Sequence, residues 1–89
     1  MEAIRILAFA DLNSAAVLES EGFKIEVDDA LNRVISAEVY AADVIEAVGY
    51  CEKLELLQIV GNVFYKDKHF YTDDFFNTDF SDFAKLGLL

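Results

Sequence analysis

Four aspartates, Asp73, Asp74, Asp79 and Asp82, fall within the last 18 residues of an 89-residue chain, interleaved with Phe75, Phe76, Phe80 and Phe83. The rings need burial and the carboxylates need water, so the acids are driven toward one another on whatever surface the segment leaves. Two carboxylates held about 5 Å apart repel by roughly 3 kcal/mol at an effective dielectric near 20, and a cluster of them invites a cation. Calcium suits such a cluster because it accepts about six to eight oxygens in loose geometry, which Asn77, Thr78 and backbone carbonyls would complete. The spacing therefore predicts a divalent-cation site, calcium first, with Asp73, Asp74, Asp79 and Asp82 as ligands and a structural or stabilising role. The competing reading makes the same aspartates helix caps and a solvated face. An EF-hand is excluded. Asn77, Asp79 and Ser81 imitate its first half, but Asp82 stands where the turn glycine belongs and Leu88 where the closing glutamate belongs.

A second acidic pair, Asp28 and Asp29 with Asn32, is explained by turn chemistry unless the fold carries it to the C-terminal cluster. The mixture of acids and rings has a different functional reading as well. Phe76, Phe80 and Phe83 lie at i, i+4 and i+7, a stripe that either docks into a partner's apolar groove or packs on the protein's own sheet. A sliding-clamp docking pattern starting at Gln58 fails, since Gly61 occupies its apolar position. The alternative to a cation-binding domain is thus a protein interaction module or homodimer, using the aromatic and acidic tail or an exposed sheet face or edge.

Catalysis finds little to work with. Cys51 on an apolar helical face is a small hydrophobe with no neighbouring charge to activate its thiol. His69 is the single imidazole, too few for a zinc site without thiolates. Glycines at 22, 49, 61 and 87 stand too far apart to cradle a phosphate. No catalytic or cofactor-binding residue is expected, and the chain reads as a non-enzyme.

The small, acidic, single-cysteine chain carrying YTDDFFNTDFSDF resembles an archaeal conserved hypothetical protein of α+β fold that binds calcium. The resemblance implies a calcium-binding role and the α+β class; it assigns no ligand residue by residue.

Composition sets the outer limits. A net charge of -10 repels nucleic-acid backbones and anionic lipid, so cations or basic proteins are the natural partners, with no nucleic acid and no membrane. The apolar fraction of 55% is that of a folded chain, and the length predicts a single domain over residues 1–89. One cysteine, no uninterrupted apolar run of about 18 residues and no signal-peptide pattern predict a cytoplasmic protein.

The elements that must position these residues follow from periodicity. Ile4 to Phe9 reads as a central strand buried on both faces. Asn13 or Ser14 caps a helix of about two turns through Glu21, ended by Gly22 in a left-handed conformation. Phe23 to Val27 and Arg33 to Tyr40 alternate with period 2 and form a hairpin about the turn at 28–32. Helical spacing of Val44, Val48 and Cys51 predicts a helix from Ala41 to about Leu54. Leu56 to Tyr65 reads as a strand bent at Gly61 and Asn62, and Lys66 to Lys68 turns into a short strand at His69 to Tyr71. A last helix starts at Thr72 and closes at Lys85 and Gly87. The fold class is therefore α+β: a split βαβ, ferredoxin-like outline with an extra C-terminal strand and helix.

Overall fold

The computed structural model describes residues 3–27 and 35–77, including all side chains except those of 75–77. Its elements run β1 (Ile4–Ala10), α1 (Leu12–Ser20), β2 (Lys24–Val27), β3 (Ile35–Ala41), α2 (Val44–Leu56), β4 (Asn62–Tyr65), β5 (Lys68–Tyr71) and α3 (Thr72–Asn77). The strands form one antiparallel sheet in the order β2-β3-β1-β4-β5, a mixed α+β architecture. β1 is central, as its apolar run predicts, but it is not buried on both faces. Ile4, Ile6 and Ala8 are buried, Arg5 and Leu7 are half-buried, and Phe9 is exposed.

Both long helices pack on the same side of the sheet. Leu18 of α1 and Ala47, Cys51 and Leu54 of α2 join Ile4, Ile6, Ala8, Ala37, Val39 and Val63 in one core. Each helix is started by an aspartate whose carboxylate accepts a backbone N–H of the first turn, Asp11 from Ser14 and Asp43 from Glu46, both at 2.8 Å. The α1 cap is thus Asp11, not Asn13 or Ser14: standing directly after Ala10, it is the single residue between the strand and the helix. Each helix ends in paired bonds around a residue of left-handed backbone. At the end of α1, Phe23 N donates to Leu18 O and Gly22 N to Glu19 O around Gly22; at the end of α2, Ile59 N donates to Leu54 O and Gln58 N to Glu55 O around Gln58.

The predicted strand from Leu56 is corrected here. α2 runs on through Leu56, and β4 starts only at Asn62. Gly61 lies in the approach to β4 because nothing larger fits: a Cβ there would stand 2.9 Å from both the Ala8 Cβ and the Leu7 carbonyl oxygen. The backbone of Gly61 is also tied to the start of α3. Its N–H donates to the buried Thr72 hydroxyl at 2.8 Å, and its carbonyl accepts from Thr72 N at 3.0 Å. The predicted turn at Lys66 is present, with Lys66 in the left-handed region, and the expected helix start at Thr72 is observed. Asp28, Asp29, Asn32 and the segment from Thr78 onward, with Phe80 and Phe83, lie outside the described residues.

Two substitutions separate these backbone effects. Gly61→Ala pushes a methyl group into β1 and is expected to destabilise by about 1–3 kcal/mol. Gln58→Gly removes left-handed strain at an exposed position and is expected to stabilise by about 0.5–1 kcal/mol. Urea titration of the two variants checks both signs, and a neutral Gly61→Ala would mean that β4 sits farther from β1 than described.

Candidate functional site: the open sheet face

Because the helices cover one face, every second strand residue points the other way. Cross-strand register sorts these side chains into three rows. Lys24, Glu38, Leu7, Asn62 and Tyr71 form one; Tyr40, Arg5, Phe64 and His69 the next; Glu26, Ser36 and Phe9 the third. The two-residue turn at Lys66 and Asp67 fixes the register of β5 on β4, and so sets His69 opposite Phe64.

The middle of this face is a connected set of flat groups. The Arg5 guanidinium lies 5.4 Å from the Phe64 ring centroid, within cation–π reach. The His69 ring stacks on Phe64 at 4.9 Å and 22°, and Tyr71 meets His69 edge-on at 5.1 Å and 72°. The Asn62 carboxamide holds the imidazole, with His69 Nε2 2.9 Å from Asn62 Oδ1, while Asn62 Nδ2 donates to the Leu7 carbonyl at 3.4 Å. Arg5 Nε donates to Glu38 Oε2 at 2.6 Å. That ion pair is part-exposed, so it contributes about 1 kcal/mol or less, and its main effect is to hold Arg5 over Phe64. Phe9, Tyr40 and Tyr71 are all more than half exposed, at 54%, 57% and 54%. These three rings share one side of the sheet, each in a different cross-strand row, whereas on the helical side Leu12 lines an apolar cleft with Ala15, Ala16, Ile25, Val27 and Ile35.

The groups gathered here are rings, a guanidinium and a carboxamide. His69 bonds to an amide, not to a carboxylate that would orient it as a base, and no nucleophile lies against it among the described contacts. A hydrogen-bonded and stacked imidazole presents instead a rigid aromatic edge.

The residues nominated from the sequence lie elsewhere. Asp73 and Asp74 occupy the first turn of α3, where the helix dipole favours anions. Asp73 Oδ1 accepts the Asp74 backbone N–H at 3.1 Å, so part of its capacity is spent on its own helix. Asp79 and Asp82 are outside the described residues, and among the described residues no three His, Cys, Asp or Glu side chains gather where a metal ion could be held. Among the described residues, no helix is long and apolar enough to cross a membrane. Comparison with protein-family models, with curated proteins and with solved structures finds no match for this chain.

The sequence raises an exposed sheet face only as one option for an interaction module or homodimer and names none of its residues, although it carries a signal for them. Arg5 interrupts the apolar run of β1, and a charge inside a strand buried on both sides is incompatible with that burial. Arg5, Leu7 and Phe9 share its face by period 2.

Cys51 sits on the covered side, 1% exposed, and burial pushes its thiol from 9.0 up to about 12. The folded protein therefore keeps a proton that the unfolded chain loses above pH 9.0, so stability falls as pH rises between 9.0 and about 12. Urea midpoints measured across that alkaline window are expected to drop, and to drop less for Cys51→Ala. An identical drop in both proteins would remove the thiol from the account.

Proposed function

We propose that this chain is a protein interaction module of ferredoxin-like outline, non-enzymatic, whose open sheet face is the interface. The supporting observation is the platform of Arg5, Phe64, His69 and Tyr71, with exposed Tyr40 opposite Arg5 and exposed Phe9 farther along β1 on the same face, which no described helix covers. Aromatic residues and arginine are the side chains most enriched where proteins meet, because they bring large contact area with little conformational freedom to lose. The outline is supported by the order β2-β3-β1-β4 with α1 between β1 and β2 and α2 between β3 and β4, to which β5 and α3 are appended. The net charge of -10 argues against single-stranded nucleic acid as the ligand of the rings, since stacking platforms for bases work together with a basic groove.

Calcium held by Asp73, Asp74, Asp79 and Asp82 is the reading that the sequence alone raises. It is kept apart by a simple measurement. The interface reading predicts equal melting midpoints in calcium and magnesium at matched ionic strength, whereas a saturable, calcium-specific rise would establish the cation site instead.

The interface itself is tested by hydroxyl-radical footprinting of the chain in extract of its own cells and of the dilute purified chain. Protection in extract is expected at Phe9, Tyr40 and Tyr71, with Leu12 and Ile45 labelled equally in both. Unchanged labelling of the three rings would refute the proposal.

A further inference from the structure

Resting on that reading of the open face, we infer that its occupant is a second copy of this chain, packed sheet against sheet about a two-fold axis. The partition of charge carries the inference. Among the described strand residues, the charged side chains on the open face are Arg5, Lys24, Glu26 and Glu38, two of each sign. The acids that give the chain its -10 are mostly elsewhere: Asp11, Glu19, Asp43, Glu46, Glu52 and Glu55 are exposed on and around the two helices of the opposite side. A basic partner is drawn to that acidic side, not to this neutral one. Like copies of a strongly acidic protein, by contrast, meet most readily where the acids are matched by bases, as Glu26 and Glu38 are by Lys24 and Arg5.

Sheet-on-sheet packing places the two helical layers outermost. With about 10 Å between successive layers, the acids of the two helical layers stand roughly 30 Å apart, several times the Debye length of about 8 Å at physiological salt. Repulsion between the copies is then largely screened. The face also serves a two-fold well: Lys24 and Glu26 lie along one edge strand, so each copy offers both signs to the other. Five strands about 4.8 Å apart and up to seven residues long give a patch on the order of 400 Å² in projection. Two such patches total about 800 Å² in projection, below the roughly 1,200 Å² at which standard specific interfaces begin, which makes the dimer weak and reversible.

Sedimentation velocity of the purified full chain over a hundredfold concentration range is the test. The expected result is a concentration-dependent shift from monomer to dimer, abolished by Tyr40→Lys or Tyr71→Lys and unaffected by Ile45→Lys on the outer face of α2. Circular dichroism confirms that each variant is folded; the two tyrosines are exposed, so their replacement leaves the core intact. A chain that stays monomeric throughout, or a dimer broken by Ile45→Lys and not by the tyrosine variants, overturns the second copy as occupant. Monomeric purified protein combined with protection of the three rings in extract would reject the homodimer while leaving the interface to a different protein. Absence of both would reject the two together.

Discussion

The structure depends on a connectivity constraint: each of its two long helices must cross from one strand to another that lies parallel to it, two positions away in the sheet. β1 and β2 are parallel because both pair antiparallel with β3, and β3 and β4 are parallel because both pair antiparallel with β1. Crossovers of this kind are right-handed, and two of them interleaved in this way bring both helices to the same side. The core therefore has one sheet face and one helical layer. Ile6, Ala8 and Ala37 are sealed at 0% exposure, while Phe9 and Tyr40, on the same strands, stay in water.

Small residues make that seal possible. Ala8, Ala37, Ala41 and Ala47 line the contact between sheet and helices, letting the helices approach closely while Leu18, Leu54 and Ile4 fill the volume between them. Gly61 continues the pattern at the backbone level, and Thr72 satisfies the Gly61 N–H that would otherwise be buried without a partner. The β4–β5 hairpin is locked in this way to both β1 and α3. That lock, together with the short turn at Lys66, keeps Phe64, His69 and Tyr71 in contact on the open side.

Most of this order of elements was legible in the sequence, because period-2 and helical spacing are local. The hairpin of β2 and β3, the helix containing Cys51, the terminator at Gly22 and the helix start at Thr72 all follow from neighbours along the chain. What escaped depends on distant partners. The run from Leu56 to Tyr65 has no local mark that the helix persists past Leu54, and Gly61 announces a bend equally well whether its cause is a bulge or the nearness of Ala8. The cap at Asp11 was passed over for Asn13 because polar residues crowd that stretch and the strand end sets which one is used. For the site, the sequence points to Asp73, Asp74, Asp79 and Asp82 since clustered charge is visible in one dimension. The face of Arg5, Phe64 and His69 joins β1 to a β4–β5 hairpin far along the chain from it, and only register assembles it.

Among the described residues an acidic helical side stands opposite a charge-balanced aromatic side, and the functional account stands on the second face being open in the free chain. Solvent paramagnetic relaxation with a neutral gadolinium chelate, measured on a dilution series and extrapolated to zero concentration, probes that directly. The account predicts strong relaxation of the ring protons of Phe9, Tyr40 and Tyr71, with the side chains of Ile6, Leu18 and Leu54 untouched. Rings shielded as well as the core in the infinitely dilute protein would contradict it, for the sheet would then be covered by the chain itself.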